Sequence, residues 1–214
     1  MKTFELMVAA LGVVGLASGS ALGDDLPRVV GGMEHVMISI ENGAIDVHLE
    51  SGSGSVELHA FPEDTYSGAA AVLNDSYYSS QCGWLAGGFI SLGAGESIVI
   101  ENIAMDEGLR VYEGGLRMMR EMHSYDAIFG TDGSSSRSTW AGAMRHDWFA
   151  ASEVGEYEAS FRVFVVDEFG DAVGSYGASD VTLSFFAVPT PGAGVALVGG
   201  GLLAARRRRD GGSR

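Results

Sequence analysis

Lysine is missing from the whole stretch between Asp24 and Ala187. Those 164 residues carry 26 Asp and Glu against seven arginines, a formal charge of −19. The full 214-residue chain stands at only −15, because the remaining basic residues sit near its two ends. Phosphate recognition needs clustered cations, so this balance excludes nucleic acid and anionic membrane as partners of the central part. It points instead to a heavily solvated surface that attracts cations. Cysteine occurs once, at Cys82, so no intramolecular disulfide can form. Its neighbours Gln81, Gly83 and Trp84 offer no base or cation to activate a thiol, which leaves a buried small hydrophobe or a site for an intermolecular bridge. Catalytic signatures are absent too. There is no Gly-x-Ser-x-Gly elbow, no His-Glu-x-x-His helix, no calcium loop of the Asp-x-Asp/Asn-x-Asp/Asn-Gly type and no lysine-bearing phosphate loop. An enzyme is not expected, and no cofactor is called for.

What the chain does have is concentrated first at its ends. Met1-Lys2, an apolar core from Leu6 to Leu16 and the small residues Ala17 to Gly23 read as a secretory signal peptide over residues 1–23. Signal peptidase is expected to cut between Gly23 and Asp24. At the other end, Val188-Pro189-Thr190-Pro191-Gly192-Ala193 opens a tail over residues 188–214. Pro189 and Pro191 cannot donate to a β ladder and hold the backbone extended, so a preceding strand must end at Phe186-Ala187. Gly192 to Ala205 is uncharged and 14 residues long, short of the roughly 20 that span a bilayer comfortably. Counting from Val188 brings the segment to 18, a marginal span. Arg206, Arg207, Arg208 and Arg209 then form a stop-transfer cluster that keeps the C-terminus on the cytoplasmic side.

Proline motif, short apolar segment and terminal arginine cluster, in that order, resemble the PEP-CTERM sorting signal of Gram-negative bacteria. Thr190 stands where the family's name motif has glutamate, giving the Val-Pro-x-Pro-Gly-Ala form. The resemblance implies transient anchoring in the inner membrane. It also implies processing at the motif by exosortase, a membrane-embedded cysteine peptidase, and delivery to the envelope or exterior. An uncut single-pass anchor is the alternative.

Residues 24–187 are long enough for one domain with a real core. Turn signals recur every eight to twelve residues, the spacing of an all-β sandwich or barrel. Residues 35–40 and 44–50 alternate around Asn42-Gly43, the strongest short hairpin signal. Further strands are expected at 56–61, 97–103, 109–112, within 138–149, at 155–167 and at 179–186, with a turn at 168–171. Residues 67–88 have a poor pattern, in which Val72-Leu73 and Tyr77-Tyr78 read as short strands or as an irregular insertion. Leu116 to Tyr125 contains helix formers and no Gly or Pro, and predicts the one short helix. The fold class is therefore all-β, a single antiparallel β-sandwich of jelly-roll type with at most one short helix.

Several residue sets inside the domain could carry chemistry. His35, His48 and His59 fall on three consecutive strands and, with Asp46 or Glu57, could converge on a metal, although a polar solvent face is the plainer reading. Met118, Met119, Met122 and His123 have the soft ligands of a copper site, but methionines at that spacing also fill core gaps. Asp167, Glu168 and Asp171 could chelate a hard cation at the last turn, or simply be solvated. Glu156 and Glu158 share a strand face as a glycosidase dyad would, though pairs arise by chance among so many carboxylates. Trp84, Trp140 and Trp148 could form a sugar-binding platform or belong to the core. The leading reading is an exported structural or adhesive protein of the envelope or extracellular matrix, with extracellular polysaccharide as a candidate partner. A secreted carbohydrate-binding module is the first alternative and requires exposed tryptophans. A secreted hydrolase is the second and requires a cleft with facing carboxylates.

Overall fold

A computed structural model describes residues 26–189. The signal segment with Gly23 and Asp24, and the tail from Thr190 onward with Pro191, Gly192, Ala193 and Arg206 to Arg209, lie outside the described residues. The described part is built from strands, as the turn spacing predicts. They are β1 (Glu34–Glu41), β2 (Ala44–Leu49), β3 (Ser55–Ala60), β4 (Tyr77–Ser79), β5 (Cys82–Ala86) and β6 (Ser97–Met105). β7 (Leu109–Gly115), β8 (Ala127–Ile128), β9 (Arg137–Trp140), β10 (Arg145–Ala151), β11 (Gly155–Val166) and β12 (Ala178–Ala187) follow.

All twelve belong to one sheet, in the order β2-β1-β5-β10-β4-β3-β12-β11-β6-β9, with β7 on the free side of β10 and β8 on β7. β3 joins the two halves, pairing with β12 over Ser55–Leu58 and with β4 at His59 and Ala60. Aromatic contacts show how the sheet curls. Trp84 of β5 meets Phe161 of β11 edge-on, with ring centroids 5.3 Å apart. Phe149 of β10 stacks on Phe185 of β12 at 4.4 Å. Strands far apart in the sheet thus bury one another's apolar faces. A second cluster, with Tyr66, Tyr78, Tyr112, Tyr125 and Trp148, lies on the opposite face of β10 beneath the loops.

Two features depart from the sequence expectation. Pairing is antiparallel except between β1 and β5 and between β3 and β12, which run parallel. The expected helix at 116–125 is instead a chain of tight turns. Met119, Met122 and His123 donate their N–H groups to the carbonyls three residues back, and the only helical geometry is a 3₁₀ turn at Arg120–Met122. A helix of this length needs a buried apolar stripe. Met118 and Met122 are 82% and 70% exposed, so none exists. Three further 3₁₀ turns, at Gly68–Leu73, Thr131–Gly133 and Gly174–Tyr176, make up the rest of the helical geometry among the described residues. The Asn42-Gly43 hairpin forms as predicted, with both residues at positive φ (51° and 82°) and Ile40 opposite Ile45.

Candidate functional site

β12 ends where the tail begins. Ala187 is in register with Gly155 on one side and Leu58 on the other. The Val188 N–H donates to the Leu58 carbonyl at 3.2 Å, and Pro189 has no N–H to give. The strand therefore stops at the first residues of the proline motif, with Val188 half-buried and Pro189 exposed.

The residue sets picked from the sequence are mostly dispersed. His59 does not join His35 and His48, because β3 is separated from β1 and β2 in the sheet by β5, β10 and β4. His48 is exposed and pairs with Asp46 of its own strand at 3.2 Å, and His59 lies 3.5 Å from Glu57. A metal site built on these three is thereby corrected. The copper reading of the methionine loop fails for a chemical reason. Trp148 donates its indole N–H to His123 Nδ1 (2.9 Å), and His123 Nε2–H donates to the Leu116 carbonyl (3.1 Å). Both ring nitrogens are spent, and burial holds the imidazole below its usual pKa, in the neutral form. Asp167 turns its carboxylate back on the chain, accepting from the N–H groups of Phe169 and Asp171. That is a self-satisfied turn.

Trp84, Trp140 and Trp148 are all buried, and each indole N–H has an acceptor, in Asp147, the Ala143 carbonyl and His123 respectively. No exposed tryptophan platform is available, which corrects that basis for sugar binding. Glu156 and Glu158 are exposed on the outward face of β11. A cavity of about 420 Å³ between the end of β3, residues 61–67 and β4 holds Asp64 and Asp75 instead. Asp64, however, is clamped by both ends of the Arg28 guanidinium (2.7 and 2.9 Å) and accepts from Tyr66 Oη (3.1 Å). That leaves Asp75 as the uncommitted carboxylate there, too few for an acid–base dyad. Cys82 is buried in the core, where burial pushes its thiol pKa up, the reverse of an activated nucleophile.

The sequence reading missed the most unusual polar arrangement, which centres on β10. All seven β10 residues are buried, including the consecutive Arg145, His146 and Asp147. On the core side, Asp147 accepts from Trp84 Nε1 at 3.0 Å and from the Gly114 N–H at 3.2 Å, with Arg145 Nη2 at 3.1 Å. Burial raises the Asp147 pKa, and the Arg145 cation and the two N–H donors oppose that rise. On the opposite face, β1, β5 and β10 place His35, Gly83 and His146 in one lateral row, since Gly83 is in register with both histidines. The rings of His35 and His146 meet edge to face with centroids 5.3 Å apart. His35 Nδ1 bonds Glu50 Oε2 at 2.5 Å, and His146 Nδ1 bonds the Ser80 carbonyl at 2.9 Å. Burial lowers the His146 pKa to about 4. The charged triplet between Met144 and Trp148 was a visible signal. Its partners Gly83 and His35 were not, because the β5–β10 and parallel β1–β5 pairings leave no local trace.

Among the described residues no group of three or more His, Cys, Asp or Glu side chains is placed to hold a metal ion, and no helix is long and apolar enough to cross a membrane. No protein-family model matches the chain, and no curated protein matches it. Among solved structures the chain is similar to the CooA pilin subunit from enterotoxigenic Escherichia coli, at 9% identity. The match covers 65% of this chain and 95% of that one, with a TM-score of 0.25, and so loose a superposition assigns neither fold nor function.

Proposed function

We propose that this chain is an exported structural or adhesive protein of the cell envelope or extracellular matrix, delivered by a PEP-CTERM-like tail that an exosortase-like peptidase cuts. The observation that carries the reading is the junction at Ala187–Pro189. The last ladder hydrogen bond comes from Val188, and the first residue without an N–H follows at once. A peptidase in the membrane would meet a proline motif that begins where the ladder of β12 ends. The acidic, lysine-free domain supports an extracellular setting in which solubility and cation attraction matter more than a catalytic cleft.

Fractionation of a host that carries an exosortase tests this. The full chain should yield a membrane-held precursor and a shorter product in the envelope or medium. Pro189→Ala with Pro191→Ala should accumulate precursor, and replacing Arg206 to Arg209 by serine should abolish the membrane-held form. Identical distribution of all three proteins would overturn the proposal.

A further inference from the structure

We propose that His35 and His146 together bind one transition-metal ion of the imidazole-preferring class, Cu²⁺ or Zn²⁺, through their two Nε2 atoms. Three independent features of the row converge on this. The first is tautomer. Carboxylate and carbonyl oxygens only accept, so Glu50 and Ser80 each draw the proton to Nδ1 and leave Nε2 of each ring as a bare lone pair. The second is that both lone pairs are buried and neither has a hydrogen-bond partner. His146 is wholly buried and His35 is 7% exposed. Orphaned buried acceptors are uncommon in folded proteins, and each calls for something to sit on it.

The third is spacing. The His146 ring lies with its face over Gly83, where a Cβ would meet Cε1 and Nε2 at 2.8 Å and Cδ2 at 3.0 Å, so the glycine lets the ring lie flat across β5. His35 flanks the same glycine from the other strand. With metal–nitrogen bonds of about 2.0–2.1 Å, two imidazoles on one ion have ring centroids roughly 5–6 Å apart. The observed separation is 5.3 Å.

The surroundings fit metal ligation as well. Ligating histidines usually donate their other N–H to a carboxylate or carbonyl, which fixes the ring and raises its basicity, and here one of each is present. Two imidazole nitrogens as the protein donors suit Cu²⁺ and Zn²⁺ and not Ca²⁺ or Mg²⁺. Because no third side chain among the described residues completes the set, the remaining positions belong to water or to a ligand from outside. Of the other histidines, His123 has both nitrogens bonded, His48 is a surface group beside Asp46, and His59, whose Nε2 is also without a hydrogen bond, lies 3.5 Å from Glu57 and has no second imidazole against it among the described residues.

The full chain, purified in detergent without a polyhistidine tag and stripped with chelator, is titrated by calorimetry with Cu²⁺, Zn²⁺ and Ca²⁺ in turn. One Cu²⁺ or Zn²⁺ per chain and no Ca²⁺ is expected, with an electron paramagnetic resonance spectrum of the copper form showing two nitrogen ligands. His35→Gln and His146→Gln should each weaken binding at least tenfold, while His48→Gln leaves it unchanged. Circular dichroism confirms that each variant is folded, and His35→Gln, near the sheet's surface, carries the result if His146→Gln does not fold. Absence of binding, binding undiminished in folded His35→Gln, or binding lost only in His48→Gln would overturn the proposal.

Discussion

His146 occupies the space above Gly83 so closely that a methyl group on that glycine would lie 2.8 Å from the imidazole's Cε1 and Nε2 atoms. The φ of Gly83 is not positive, so the glycine is required by this contact and not by its backbone conformation. Gly83→Ala must push a wholly buried ring aside, and overpacking of this kind costs about 1–3 kcal/mol. Gly87→Ala is the control, since its Cβ would meet nothing closer than 3.5 Å. Urea unfolding should show the midpoint falling for Gly83→Ala and nearly unchanged for Gly87→Ala. Equal effects would show that the row is not tightly packed.

The same histidine sets a pH response. Burial lowers its folded pKa to about 4 from the usual histidine value of about 6.5, so the unfolded chain binds the extra proton first as pH falls. Stability from His146 is therefore complete above about pH 6.5 and is lost progressively toward pH 4. The loss amounts to about 3 kcal/mol at roughly 1.36 kcal/mol per pKa unit. His123, also lowered by burial, adds in the same direction. His146→Gln should flatten the stability profile between pH 6.5 and 4 relative to the natural chain. A profile with unchanged slope would assign the acid sensitivity to other groups.

Arg145 and Asp147 form a buried ion pair inside the apolar core. Removing either partner alone strands a charge, which costs about 3–5 kcal/mol, whereas replacing both by apolar residues of similar size is far less harmful. Asp147→Leu and Arg145→Met are thus each expected to destabilise strongly, and the double variant by much less than their sum. A double-mutant cycle by denaturant unfolding measures this coupling. Additive effects would mean that Trp84 and Gly114, the other donors to Asp147, dominate its contribution.

Local signals carried part of the fold into the sequence. Asn42-Gly43 specified a hairpin because both residues must take positive φ, and they do. The long alternation from Gly155 to Val166 became β11, opposite β12 over ten residue pairs. β4 showed in the sequence only as the pair Tyr77-Tyr78, and β5 not at all, because short strands covered on both faces do not alternate. Cys82, Gly83 and Trp84 are all buried. The parallel partnership of β1 with β5 joins residues nearly fifty positions apart, which no local pattern records. The same topology explains the misassigned histidines. Strands consecutive in sequence separate in the sheet, so His35 found His146 and not His59. Methionines at helical spacing misled because a loop can carry them exposed.

Intact mass of the protein recovered separately from culture medium and from membranes of the native host tests the sorting account most directly. The account predicts a released species that begins near Asp24 and ends close to Pro191, with any membrane-held precursor still carrying Arg206 to Arg209. A membrane-bound protein that keeps the arginine cluster, with no shorter species anywhere, would contradict it and leave a permanent anchor in place of a sorting signal.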